Sequence, residues 1–477
     1  MMRHSLSFAA MSVLFAGTCC AAEMPALTIY RADNDALFEN VGSPVGDGYA
    51  IVHEERPMKL AGGRQTLVID GLPATLDAEA VSIDLGASSR ILAQRVLSTG
   101  EGGALNAHRG EKIAITLRSG GNLQATLLGV DSGSLVVRDD ASSQVMYVRE
   151  YDTLRFSEGS GLPGSTLQLV VDGSAGSVPA VLTYPTSGLG WRAAYSAVLL
   201  DGSSCRMRLD ALASIANRSG RDFPAATLKL IAGSPNFGGG GAPRPMAMKA
   251  MMAPAAAPEQ MPEQSALGDY RSYAIDGNLD LPDASVTQVP LYAARELECK
   301  RAWIVEHGGA WFPSKPMMTP DVAQGGGGPV ISELNFLSTE NLPAGQMRVL
   351  TRDRDERVEF LGESRIGDMA KGRRVNITLG NAFDLAASRE RTAFSVDKTA
   401  REMNEGFRIT LTNTGETART VTVREHPNRW RAWSLLSSSQ KPSKQSPDLL
   451  EFEVAVPADG KATLDYAVRY HWLPADE

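Results

Sequence analysis

Between Gly190 and Pro290 the chain alternates side chains with a period of two, and no helical period runs through it. Trp191, Ala193, Tyr195, Ala197 and Leu199 fall on one side of that repeat. After a short Asp201-Gly-Ser-Ser loop, Met207, Leu209, Ala211, Ala213 and Ile215 share one face, while Arg206, Arg208, Asp210 and Ser214 share the other. A strand places successive side chains on opposite faces, so this pattern describes half-buried antiparallel strands. Asn217-Arg-Ser-Gly220 supplies turn chemistry, since Asn and Gly tolerate positive φ. Thr227–Ile231 reads as the next strand, and the pattern resumes at Tyr270–Ile275 and Ser285–Leu291.

The rest of the chain extends this reading to an all-β fold class. With 477 residues it can bury several cores. Residues 23–105 read as an N-terminal β-domain, with strands at Leu27–Tyr30, Gly48–Arg56, Gln65–Asp70 and Ala80–Leu85. Residues 106–160 hold five short apolar runs with tight polar turns, the pattern of an SH3- or Sm-like barrel. Residues 161–373 read as a central β-domain, interrupted over 238–267 by a loop rich in Gly, Ala, Pro and Met that cannot form a packed core. Residues 374–477 alternate with turns at intervals suited to an immunoglobulin-like sandwich. Asn413-Thr-Gly415 echoes Asn217-Arg-Ser-Gly220, each after an alternating strand. Two related sandwiches would produce that echo, and so would a shared hairpin type.

The N-terminus points to export. Met1-Met-Arg-His is a positive end, Leu6–Thr18 is an apolar core too short for a bilayer, and Cys20-Ala-Ala22 places small residues before a cut at Glu23. Residues 1–22 therefore read as a cleavable signal peptide and the mature chain as periplasmic or secreted. A lipid anchor would need a lipobox, and the residues before Cys19 and Cys20 do not make one. Cleavage leaves Cys205 and Cys299, an even count in an oxidising compartment, where a disulfide or two separate thiols are both open. No later segment has the uninterrupted apolar length of a membrane span. The net charge of −8 and pI near 5.5 speak against nucleic-acid binding.

Machinery for catalysis is sparse. His53, His108, His307, His426 and His471 stand at no metal-ligand spacing, and no Cys-x-x-Cys occurs, so no metal and no cofactor is expected. The methionines of Met246–Met252 lack the spacing and the nearby His of copper motifs. Nucleophile-elbow, P-loop and dinucleotide fingerprints are missing. Ser438-Ser-Gln-Lys441 matches a Ser-x-x-Lys pattern but sits in an all-β unit without the helix that chemistry uses. Arg352-Asp-Arg-Asp-Glu-Arg357 reads first as a solvated, self-paired turn. Its carboxylates, with those up to Glu363, offer the alternative of a polysaccharide hydrolase.

The aromatics suggest binding. Trp303, Trp311, Trp430, Trp433 and Trp472 lie in the C-terminal half, and exposed tryptophans stack on sugar rings or grip protein partners. Arg429, Trp430, Arg431 and Trp433 are the candidate binding residues, weighed against burial in a sandwich core.

Gly190-Trp-Arg-Ala-Ala-Tyr, Ala216-Asn-Arg-Ser-Gly-Arg-Asp-Phe, Leu228-Lys-Leu-Ile-Ala-Gly and Leu281-Pro-Asp-Ala-Ser-Val-Thr-Gln-Val-Pro-Leu together resemble the mucoidy-inhibitor-like family. These are bacterial envelope proteins whose shared C-terminal domain has no assigned function. The resemblance covers roughly residues 170–472, implies no catalytic residues, and lacks the coiled coil that family members often carry. The expectation is an exported, non-catalytic binding or structural protein of the envelope, with an envelope protein or polysaccharide as partner. The alternatives are the hydrolase above and an assembly factor that lends a sheet edge to a partner strand.

Overall fold

The computed structural model describes residues 24–39, 44–97, 105, 109–156, 164–201, 204–233, 235, 263–309, 311–320, 326–353 and 355–476. The expected signal peptide and residues 238–262 of the Gly/Ala/Pro/Met-rich segment lie outside them. The molecule is all-β, as the alternation requires, with several sheets and, among the described residues, single-turn 3-10 helices at Asp35–Leu37 and Pro474–Asp476.

In chain order the strands are β1 (Ala26–Tyr30), β2 (Ala50–Leu60), β3 (Gly63–Leu72), β4 (Ser82–Asp84), β5 (Ser89–Leu97), β6 (Lys112–Leu117), β7 (Asn122–Asp131), β8 (Ser134–Asp139), β9 (Val145–Val148) and β10 (Tyr151–Phe156). Then come β11 (Ser165–Gly173), β12 (Gly176–Thr186), β13 (Leu189–Leu200), β14 (Arg206–Asn217), β15 (Phe223–Ala232), β16 (Glu263–Leu267), β17 (Tyr270–Leu281), β18 (Ser285–His307) and β19 (Pro329–Leu337). The last are β20 (Gly345–Arg352), β21 (Val358–Ile366), β22 (Arg374–Asp397), β23 (Glu402–Asn413), β24 (Arg419–Glu425), β25 (Trp433–Ser438), β26 (Lys444–Ser446), β27 (Leu449–Val456) and β28 (Gly460–His471).

The chain forms two compact units. The first takes the residues up to Trp191 together with Ile215–Thr287; the second takes Arg192–Ser214 and the residues from Gln288 onward. In the first unit a seven-stranded sheet runs β16-β17-β15-β1-β2-β12-β4. β1 is parallel to β15 and antiparallel to β2. Its inward residues Leu27 and Ile29 meet Val52, Leu182 and Leu230, all buried. Trp191 is fully buried there, its indole N–H donating to the Ile231 carbonyl at 3.0 Å. A five-stranded antiparallel sheet, β10-β6-β7-β8-β9, has its own core of Ile113, Ile115, Leu127, Leu135 and Val137.

The domain boundaries expected from composition do not partition these sheets. β1, β2 and β4 share a sheet with β12, β15 and β17, so residues 23–105 do not close on themselves. The reason is that β1 and β2 each leave one edge of backbone N–H and C=O groups that the later strands β15 and β12 satisfy. The loop expected over 238–267 also ends early. Glu263–Leu267 pairs as β16 with Tyr270–Ala274 of β17, around Gly268 in the left-handed region (φ +59°).

The second unit carries the sheet path β21-β20-β13-β14-β18-β19-β22-β23-β28-β25, with β24, β26 and β27 branching from β18. Its core gathers Val305, Leu385, Phe407, Leu411, Val421, Trp430, Phe452, Leu464 and Tyr470.

One topology occurs twice. The order β16-β17-β15-β1-β2-β12 is matched by β26-β27-β24-β18-β19-β22, with the parallel pair β1/β15 matched by the parallel pair β18/β24. β14 and β23 begin and end 196 positions apart, at 206 and 402 and at 217 and 413. Each ends on a buried Asn doing the same work. Asn217 donates to the carbonyls of Arg221 and Leu281 and accepts from the Ser219 amide. Asn413 donates to the carbonyls of Thr417 and Pro457 and accepts from the Gly415 amide. The echo in the sequence is thus more than a hairpin type: an amide with every polar atom engaged ties the end of one strand to two others in both copies.

Candidate functional site

β18 sets the geometry. Its alternation turns Trp303, Val305 and His307 inward, with Arg301 on the same side. Ser332 of β19 stands opposite Trp303 and accepts a hydrogen bond from Arg301 Nη2 at 3.1 Å. β24, parallel to β18, opens with Arg419, whose guanidinium lies 4.5 Å from the Trp303 ring centroid. The Arg301 guanidinium lies 6.0 Å from that centroid, so two cations share one indole. These side chains line a cleft of about 290 Å³, closed on its far side by Leu379, Phe383 and Asp384 of β22 and by the Asn413–Thr417 loop.

β22 changes partner at this point. Its first part pairs with β19 and its second with β23, and the β19 register slips between them. Phe383 sits in the slipped segment and is fully exposed. The carboxylates of Asp384 and Glu416 share the cleft lining with the two arginines. Arg301 Nε is buried without a hydrogen bond among the described residues. Burial, with the Arg419 charge beside it, pushes the Arg301 guanidinium below its usual value.

Deeper along the same strands the charges are satisfied. The buried Glu425 carboxylate receives His307 Nδ1 at 2.6 Å, Arg389 Nε at 3.0 Å and the Tyr466 hydroxyl. Burial and the Glu425 charge hold the Tyr466 phenol well above its usual range. Arg389 lies 3.5 Å from the Phe407 ring centroid. A second pair joins Arg429 Nε to Glu405 at 2.8 Å, with Arg429 also donating to the carbonyls of Met317 and Thr319. Apart from His307 Nε2, which is buried without a hydrogen bond among the described residues, these groups find their partners within the protein and read as structure.

Trp430 and Arg429 are therefore not part of an exposed aromatic patch. Trp430 is 2% exposed and Arg429 is 3% exposed, both packed into the core of the second unit. Trp433 is half-buried, its indole N–H donating to the Pro447 carbonyl at 2.6 Å. Arg431 alone faces solvent, pairing with Asp476 at 2.9 Å. The run is not an exposed patch because Trp430, just before β25, packs into the core of the second unit, and Trp433 opens β25 half-buried against that core.

Cys205 and Cys299 are joined by a disulfide, with Cα atoms 5.0 Å apart. The carboxylates near Asp353 form a turn, where Asp353 Oδ1 accepts from the amides of Asp355 and Arg357. Glu363 pairs with Arg348 at 3.1 Å on an exposed surface. Among the described residues no group of three or more His, Cys, Asp or Glu side chains forms a metal site, and no helix is long and apolar enough to cross a membrane.

Trp303 stood out in the sequence, but Arg301, Ser332, Phe383 and Arg419 did not. The available signal was Arg301-x-Trp303-x-Val305-x-His307, polar residues at inward positions of a strand.

Fold and cleft together define an all-β protein with a small opening lined by two arginines, two carboxylates and the Trp303 indole. The chain belongs to the DUF4139 family, a domain of unknown function, whose profile matches residues 180–473 and so includes the whole cleft. No curated protein matches the chain.

Proposed function

We propose that the chain is an exported, non-catalytic binding protein of a bacterial envelope, and that its ligand seats in the Trp303 cleft. The observation that carries this is the pair of guanidiniums on one indole, one with a buried Nε that has no hydrogen bond among the described residues, in an open cleft of about 290 Å³. Such an arrangement costs stability unless something outside the fold engages it. The signal-peptide pattern of residues 1–22 and the Cys205–Cys299 bridge support export. The motifs shared with the mucoidy-inhibitor-like family support the envelope setting.

The test is retention of an envelope component, protein or polysaccharide, by the immobilised full chain and by a Trp303→Ala variant with unchanged melting temperature. Loss of one specific component in the variant is the expected result. Equal retention of every component by both proteins would remove the cleft as the binding site.

A further inference from the structure

Three strands form a separate sheet in the first unit, in the order β3-β11-β5, so β3 and β5 each pair on one side only among the described residues. An unpaired strand edge is a template for another strand, and folded proteins shorten, bulge or charge such edges. The other strands that end a sheet path follow this rule. β4 and β26 have three residues each, β9 four and β16 five. β5, β10, β21 and β25 each carry an extra residue that breaks the register: Leu92, Asp152, Leu361 and Leu436. β3 has neither device over most of its length. It stays in unbroken register with β11 from Gly63 to Ile69, and Gln65-Thr-Leu-Val-Ile69 carries no charge. On its outer face Thr66 is exposed and Val68 is 40% exposed.

We infer that β3 is a dimerisation edge: β3 of a second molecule of this chain pairs antiparallel with it about a two-fold axis at Leu67, joining the two sheets into one. Self-complementary charge selects this occupant. In that register Thr66 faces Val68, Gln65 faces Ile69, and Arg64 at one end faces Asp70 at the other, twice by symmetry. Alternation keeps each pair on one face, so Leu67 and Ile69 of both molecules still point to the core side and Arg64, Thr66 and Val68 to the outer side. A shift by one residue would turn one molecule's core face to solvent, and a shift by two would set Arg64 against Val68 or Leu72 and lose the charge pair. Asp70 lacks such a partner in the single chain: its Oδ1 is buried without a hydrogen bond among the described residues. Its carbonyl accepts from Arg56 Nη1 at 2.5 Å, and a ladder between Thr66 and Val68 leaves that bond in place. Arg64 is exposed and has Asp172 of β11 as its neighbour within the sheet, so in the dimer its guanidinium lies between two carboxylates.

Sedimentation equilibrium on the chain from Glu23, the form expected after export, should show a monomer–dimer equilibrium. Arg64→Asp, which turns two ion pairs into two repulsions, should weaken dimerisation by about tenfold or more. Adding Asp70→Arg to it should restore the dimer. If the double variant fails to fold, cross-linking decides. Thr66→Cys and Val68→Cys proteins, mixed under mild oxidant, should form a disulfide-linked pair faster than either does alone, because the two positions face each other across the ladder. A monomer at every concentration, a dimer indifferent to Arg64→Asp, or equal cross-linking of the mixed and the separate proteins would overturn the inference. So would a chain that stays monomeric and pairs β3 with another protein instead, read as β3 amides protected from hydrogen exchange only when envelope extract is added.

Discussion

Glu54→Gln should destabilise the first unit by about 3 kcal/mol at neutral pH, because Glu54 holds a buried charge network together. The carboxylate is 5% exposed. It receives two hydrogen bonds from Arg221, one from Arg56 at 3.0 Å and one from the Tyr184 hydroxyl at 2.9 Å. Burial alone would raise its pKa; the Arg221 and Arg56 charges outweigh that and hold it at about 2, against an ordinary 4.5. That depression is equivalent to about 3 kcal/mol favouring the charged form. Because the folded-state pKa is the lower one, the stabilisation is complete above about pH 4.5 and is lost as pH falls through about 2. Gln does not titrate, so the gap between the two proteins should narrow from about 3 kcal/mol at pH 7 to roughly 1.4 at pH 3. Urea unfolding followed at both pH values, with a probe in the first unit, measures this directly. A gap under about 0.5 kcal/mol at pH 7, or one that stays constant down to pH 3, would refute the reasoning.

Three further outcomes are expected. Denatured, unreduced protein lacking residues 1–22 should show no free thiol; labelling at both Cys205 and Cys299 would exclude the bridge. Reducing that bridge, which closes a separation of 94 residues, should lower the stability of the second unit by up to about 4.7 kcal/mol on the chain-entropy model, read as a lower urea midpoint. Trp430→Ala should cost about 3–5 kcal/mol by opening a cavity in the core, so any loss of binding should track lost stability. A Trp430→Ala protein as stable as the parent, yet unable to bind, would restore that tryptophan to the surface.

Strand content was legible because period-two alternation is a local property of the sequence. Trp191 to Leu199 and Met207 to Ile215 each show their inward face without reference to any partner. Partner choice is not local. β1 pairs with β15, about 200 positions later, and nothing within Ala26–Tyr30 specifies that neighbour. The division into consecutive domains therefore missed a sheet assembled from both ends of the first unit. Trp430 could not be decided from the sequence for a related reason, since a tryptophan serves a core and a binding face equally well until the opposing residues are known.

The candidate site could not be seen from sequence neighbours. A serine at 332 and an arginine at 419 are unremarkable residues on alternating strands. They acquire meaning only where strand pairing brings them to one indole, with Ser332 opposite Trp303 and the Arg419 guanidinium 4.5 Å from its ring centroid. The second copy keeps the Asn-anchored strand end, with Asn413 1% exposed, and so retains the geometry that positions the loop. Further inside, it has placed Glu425 and Glu405 among fixed arginines, which stiffens the interior behind the cleft. Rigid support behind an open cleft is the arrangement a preorganised binding site needs, because the lining groups are already held where a ligand must meet them.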